Sequence, residues 1–282
     1  IELATHAGDR VELAHGHSHA GAAGIELYDV DAAQEHLRVA QALYEELGMA
    51  RWTVGHLAGM VGMAALFQSL DDAVDLGWHF EALAESVDYD LGAAVGAVNL
   101  GTALSLSGRF AEAKAAGERA VERALRLDMP HVVGPAYGVL GVAERGLGDL
   151  QSALAHQQRA VEVQRSVVAI ETLGDDLAEL VRTYAMLGRT EPLPALADEA
   201  MALYEEHASR VSRPQALLWA AAQAAHAAGD EVRATALAAQ ARRDVEERAA
   251  RITQPAARDA YVRFPPNALI LAAATEDRWP TP

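Results

Sequence analysis

Apolar residues recur along this chain at helical spacing and nowhere alternate for long with period two. Between 149 and 164, Leu150, Ala153, Leu154, Ala160 and Val161 share one face, while Gln157, Gln158 and Arg159 face the other way. That is the pattern of an amphipathic helix. The β-branched runs Val132-Val133 and Val167-Val168 are too short to build strands. The pattern also repeats. NLGTALSLSGRFAEAKAAGERA, beginning at Asn99, returns forty residues later as VLGVAERGLGDLQSALAHQQRA, with Leu100 on Leu140, Gly101 on Gly141, Gly108 on Gly148, Ala113 on Ala153 and Ala120 on Ala160.

Carried backwards, the frame places Gly21, Ala33 and Ala40 in a first unit and Val61, Ala73 and Phe80 in a second. Carried forwards, it meets Leu180, Gly188 and Ala200, and one inserted residue brings Gly229, Ala234 and Ala241 into register. Six helical pairs are predicted, roughly 10–47, 50–86, 90–126, 131–165, 170–207 and 213–248. Breakers fall between them at Gly48, Asp88 and Asp90, Pro130, Gly174 and Pro214. Past the sixth pair, Pro255, Tyr261, Phe264 and Pro265-Pro266 interrupt the pattern before an apolar stretch over 267–275. An array of stacked pairs leaves an apolar end to be covered, so the repeat array is assigned to 1–254, a helical cap to 255–276, and a disordered tail to 277–282.

A helix, a tight turn at glycine and a return helix with alanines at its close contacts resemble the tetratricopeptide repeat. The forty-residue units, with EELGMARW at 45–52 and the Gly101, Gly108, Gly141, Gly148 and Gly188 frame, resemble the tetratricopeptide arms of large bacterial signalling proteins. These are the maltotriose-responsive activator, antibiotic-regulator and cyclase-linked ATPase types. Ile252, Pro255, Arg258, Tyr261, Pro266 and Asn267 resemble the closing motif of such arms. The resemblance implies an all-α, right-handed superhelical solenoid serving as a non-enzymatic protein-interaction or ligand-sensing arm of a larger regulatory ATPase; the alternative is a free-standing adaptor that scaffolds a complex. No GxxxxGK[ST] phosphate loop occurs in the sequence, so an ATPase core would lie elsewhere in the parent. The chain opens on Ile1 and reads as a piece of a longer protein.

Forty acidic residues against 23 basic ones give a formal net charge of −17, which repels phosphate backbones and anionic lipid. The late arginines, Arg242 to Arg263, are interrupted by Asp244, Glu246, Glu247 and Asp259 and read as a solvated face with mixed pairs. With no cysteine, thiolate metal sites and disulfides are excluded. Neither nucleic acid nor membrane is expected as a partner, and the expected location is cytoplasmic. The expected partner is a protein or peptide segment, including a neighbouring domain of the parent chain; oligomerisation is left open.

His15 and His19, four apart in HGHSH, share a helix face at a spacing that suits two imidazoles on Zn²⁺ or Ni²⁺. Two ligands make a weak site, so no metal and no cofactor are expected, and the pair is kept as a groove candidate. Counting from the first glycine of each unit, the concave face of a tetratricopeptide superhelix would carry Val98 and Thr102, then Val142 and Arg145, then Arg182. Asn99 matches the place where such proteins often present an Asn to a peptide backbone. These residues are the predicted groove. The competing expectation is that the arginines pair locally, Arg145 with Asp149 and Arg182 with Asp175 or Glu179. Adjacent acids such as Asp71-Asp72 and Asp175-Asp176 diverge by about 100° on a helix and read as helix starts or solvated faces, with no catalytic role.

Overall fold

The computed structural model describes residues 1–208, 211 and 213–273; the expected tail at 277–282 and the last residues of the cap lie outside them. Among the described residues there are fifteen helices and no strand. A short helix α1 (Glu2–Ala7) precedes six hairpins. The hairpins are α2 (Arg10–Leu27) with α3 (Val30–Glu46), α4 (Ala50–Phe67) with α5 (Leu70–Ser86), and α6 (Asp90–Leu106) with α7 (Phe110–Arg126). Then come α8 (Pro130–Gly146) with α9 (Leu150–Val167), α10 (Ile170–Met186) with α11 (Leu193–His207), and α12 (Pro214–Ala227) with α13 (Glu231–Arg251). Helices α14 (Pro255–Arg263) and α15 (Pro265–Ala273) complete the chain. The fold is an all-α solenoid of six helical pairs.

The forty-residue repeat divides into two helix–turn halves. Left-handed residues fall at Tyr28, Gly48, Asp88, Gly108, Asp128, Gly148, Val168 and Gly188, at steps of twenty or forty, and again at Gly229. Each closes a helix. At Gly148, for example, Gly148 N–H donates to the Arg145 carbonyl at 3.0 Å and Asp149 N–H to that of Glu144 at 2.9 Å, which satisfies carbonyls the helix leaves open. Four of these nine turns carry no glycine, so the sequence showed the forty-residue period and hid the twenty-residue one. Gly174, expected in a linker, instead lies within α10, where a side chain would meet Val211 Cγ1 at 2.9 Å. Likewise Asp71 sits in the first turn of α5, and the cap there is Ser69, whose Oγ accepts from Asp72 N–H at 3.0 Å.

Small residues set the distance between helices. A Cβ on Gly141 would fall 2.4 Å from Gln157 Cγ and 3.2 Å from the Ala153 carbonyl, so α8 and α9 touch there at backbone range. Gln157, expected on the outer face of α9, is fully buried. With its amide oxygen turned to Arg145 Nη1 (3.2 Å), its nitrogen donates to Thr183 Oγ1 at 2.7 Å, and so it joins α8, α9 and α10 by hydrogen bonds that offset its desolvation. Ion pairs between successive hairpins do similar work. Buried Glu81 accepts from Arg119 at 2.7 Å and Arg123 at 3.0 Å, and Glu144 meets Lys114 of the preceding hairpin at 3.1 Å as well as His156 of its own hairpin at 2.6 Å.

The array curls until its end meets its beginning. Helix α14 packs on α4, while α15 packs on α13. Tyr261 is buried in one cluster with Leu237 and Ala241 of the sixth pair, and its ring also stands edge-on to Tyr28 at 5.4 Å and stacked on Phe67 at 6.2 Å. Arg248 Nη1 donates to Tyr28 Oη at 2.9 Å, and Thr253 and Gln254 both reach Asp31. Asn267, fully buried, donates to the Tyr261 carbonyl at 2.9 Å and accepts from Gln215 at 3.1 Å, which fixes the corner between α14 and α15. Of the late arginines, Arg242, Arg248 and Arg263 pair with acids four residues away.

Two outcomes are expected. Val168 is exposed and β-branched at φ 54°, a conformation that costs an L residue about 1–2 kcal/mol. Val168→Gly should raise the midpoint of urea unfolding, by up to about 1 kcal/mol after the added freedom of the unfolded chain is subtracted. Tyr261→Ala should destabilise by about 3–5 kcal/mol and increase the radius of gyration in small-angle scattering as the seam between the two ends opens.

Candidate functional site

On the concave side, the first helices α6, α8, α10 and α12 enclose a cavity of about 580 Å³, and α15 walls it with Pro265, Pro266 and Leu269. Five of the eight sequence-predicted groove residues line it: Val98, Thr102, Val142, Arg145 and Arg182. Asn99 lies outside the cavity lining, and its Nδ2 donates to the Val95 carbonyl of its own helix at 2.9 Å. His15 and His19 are also elsewhere, on the first hairpin. His15 Nδ1 meets Tyr44 Oη at 2.9 Å and its ring packs 4.2 Å from that of Trp52. Among the described residues no three His, Cys, Asp or Glu side chains converge as metal ligands.

Sequence reasoning brought Asp175 and Glu179 here only as local partners for Arg182, and missed Asp176 and Arg213. Asp175, Asp176 and Glu179 line the cavity together with Arg145, Arg182 and Arg213. Asp175 and Asp176 lie in the body of α10, and both reach the cavity because they flank the line along which that helix faces it. Arg213 Nε donates to Asp175 Oδ1 at 3.0 Å. Arg145, expected beside Asp149, crosses instead to Glu179 on the next hairpin. Gln164 from α9 donates to Asp176 and accepts from Thr172 Oγ1 at 2.6 Å. Space for Asp176 comes from Gly138, where a Cβ would stand 2.3 Å from Asp176 Oδ1.

Burial and arginine fields set the charge states. Burial would push Glu179 up, but Arg145 and Arg182 overcome it and hold the carboxyl below its usual range. Asp176 goes the other way. Burial, and then the negative charges of Asp175 and Glu179, push its carboxyl well above the usual aspartate range, with Arg213 only partly opposing. Arg182 is half-buried and its Nε is buried without a hydrogen bond; burial lowers its pKa, with Glu179 opposing.

The raised Asp176 carboxyl makes a prediction with a definite sign. Between the ordinary aspartate range and its raised folded value, the folded chain holds a proton that the unfolded chain has lost. Stability contributed by this group is therefore present at low pH and falls as pH rises through that window. The groups facing Asp176 are Gln164 from α9, Arg213 ahead of α12, and Asp175 and Glu179 on its own helix; α8 offers only Gly138. Asp176→Asn keeps the acceptor for Gln164 and needs no proton. It should melt at a higher temperature than the parent at neutral pH and flatten the fall in melting temperature across the window, as thermal unfolding at several pH values will read.

A family model described as tetratricopeptide repeat matches residues 92–166, the third hairpin and nearly all of the fourth. No curated protein matches the chain in sequence. Among solved structures, a Rap protein complexed with competence and sporulation factor superposes with a TM-score of 0.65 at 14% identity, over 94% of this chain and 77% of that one. Aspartyl phosphate phosphatase F from Bacillus subtilis also gives 0.65, at 10% identity over 98% and 74% of the two chains. A signal transduction ATPase with numerous domains and a tetratricopeptide repeat sensor, from Pyrococcus horikoshii, gives 0.57 at 13% identity. That match covers 84% of this chain and 36% of the ATPase. At such identities the likeness is one of fold. No helix among the described residues is long and apolar enough to cross a membrane. Residues 92–166 thus match a tetratricopeptide repeat, and the chain as a whole shares the helical-repeat fold of these structures.

Proposed function

We propose that this chain is a binding arm that acts without catalysis, taking a protein or peptide segment into the cavity on its concave side as the sensor of a larger bacterial signalling or transcription-regulatory ATPase. The observation that carries the reading is the cavity itself. Its volume of about 580 Å³ lies within the range of specific ligand sites, and it is lined by apolar side chains with a few charged groups held in place from behind. Two fold relatives lend support. One is a sensor arm attached to an ATPase, and the other was solved with competence and sporulation factor bound. The acids in the cavity are engaged by arginines and by Gln164, an arrangement that fixes shape and charge for recognition.

The test is a selection of displayed peptides on the immobilised chain, followed by titration of the selected peptides in solution. Val142→Trp places an indole in the cavity and should weaken every peptide that uses it at least tenfold, which is about 1.4 kcal/mol, with the melting temperature unchanged. Peptides that bind the variant as tightly as the parent would move the site to the convex face.

A further inference from the structure

The first two hairpins meet through histidines. Four of the chain's 11 histidines, His15, His17, His36 and His56, lie where α2, α3 and α4 pack together. His17 Nδ1 on α2 stands 2.9 Å from His36 Nδ1 on α3. A contact of that length needs one nitrogen to donate and the other to accept. The pair therefore admits one extra proton, on the free Nε2 of the donor ring. A second must take the accepting lone pair, which breaks the bond and sets two cations against each other. His56 on α4 is only 4% exposed. Its Nε2 meets the Leu37 carbonyl of α3 at 2.8 Å and its Nδ1 meets Ser18 Oγ of α2 at 3.1 Å. The carbonyl can only accept, so Nε2 carries the proton and Nδ1 accepts from Ser18. This imidazole is neutral, with both nitrogens in use.

From this geometry we propose that the histidines joining α2, α3 and α4 form an acid-sensitive latch: protonation parts these helices, releases the seam with α14 and loosens the wall that α15 gives the cavity. The route is short. Helices α2, α3 and α4 are the elements that present Tyr28, Asp31 and Phe67 to the closing segment. Helices α2 and α3 touch at backbone range beside the latch, where a Cβ on Gly24 would stand 2.8 Å from Ala33 N and one on Gly21 2.6 Å from Leu37 Cδ2. Their register leaves little slack for a displaced ring. The groups facing His17 are His36 and Glu35 from α3 and the amino group of Ile1 ahead of α1. Glu35 is itself held by Arg38 at 2.9 Å. Those facing His56 are Ser18 of α2 and the Leu37 carbonyl and Tyr44 ring of α3. Burial, then His36 and the Ile1 amino group, disfavour a proton on His17, with Glu35 opposing. Burial does the same at His56, with the Leu37 carbonyl opposing. In the unfolded chain these rings take up protons near the ordinary histidine value of about 6.5. Stability from the latch is therefore present above that value and lost as pH falls below it.

The experiment reads the seam directly, because Asp176 shifts the melting temperature in the opposite sense. The chain has no cysteine, so spin labels on Leu27→Cys and Asp259→Cys, both exposed, report the separation of α2 from α14 by pulsed electron resonance. The distance distribution should be narrow at about pH 8 and should broaden and lengthen as pH falls to about 5. Ring nitrogen shifts read by NMR should show His17, His36 and His56 taking up protons through the same transition. His17→Asn keeps an amide donor at the Nδ1 position, and His56→Gln keeps a donor to Leu37. Together, in the labelled background, they should hold the narrow distribution down to about pH 5. A narrow distribution across the whole range, broadening that does not coincide with protonation of these rings, or broadening that persists unchanged in the double variant would overturn the latch. The coincidence is read with the histidines in place, so it decides even where a variant folds poorly. The latch is a property of the fold, and its test needs no ligand.

Discussion

The packing of Tyr261 against Tyr28 and Phe67 is the contact on which the shape of this molecule depends. Stacked helical hairpins interact with their neighbours, so an open array has two apolar ends and a groove of adjustable width. Here the seam of three aromatic rings joins the last helices to the first two hairpins. It is backed by Arg248 on Tyr28 and by Thr253 and Gln254 on Asp31. Buried aromatic pairs add specific geometry to the area they remove from water, so the seam holds α14 in one orientation. Asn267 then sets α15 at a fixed corner, and α15 becomes a wall of the cavity. The concave surface thereby gains a wall at one side of its cavity.

Placing six ionisable groups in that cavity is expensive unless each has a partner. The solution draws partners from different hairpins: Arg145 on α8 meets Glu179 on α10, and Arg213 at the head of α12 meets Asp175 on α10. Each pair therefore ties two repeats together as well as balancing charge. Gln157 and Gln164 on α9 lie behind them and supply amide hydrogen bonds from the second layer of helices. The same residues that set the electrostatics of the cavity hold its walls in register, so a change of charge in the cavity is felt as a change in repeat packing.

Much of the fold was legible because it rests on spacing. Gly101, Gly141 and the alanines that face them allow helices to approach closely, and their forty-residue recurrence needs nothing beyond the sequence to be seen. The turns were half visible, since Tyr28, Asp88, Asp128 and Val168 take left-handed backbone without the glycine that would signal it. The closure was not legible. Tyr261 and Tyr28 are separated by most of the chain, and their contact follows from the summed small rotations of six hairpins, which no local pattern records. Position counting within each unit brought Val98, Thr102, Val142, Arg145 and Arg182 to the cavity, and it misplaced Asn99, whose side chain turns back on its own helix.

Gln157 shows why the burial of Asp176 escaped notice. On a helix wheel it belongs to the polar face, and in most amphipathic helices that face meets water. In a closed array the polar face of a second helix can instead meet the polar flank of a first helix in the next hairpin. Amide and carboxylate then satisfy one another away from solvent, so polarity ceases to report exposure. Asp175 and Asp176 are read as solvated for the same reason, because a pair of adjacent acids ordinarily seeks water. Asp176 is buried and Asp175 half-buried because Arg213, Gln164 and the space left by Gly138 are supplied from outside their helix.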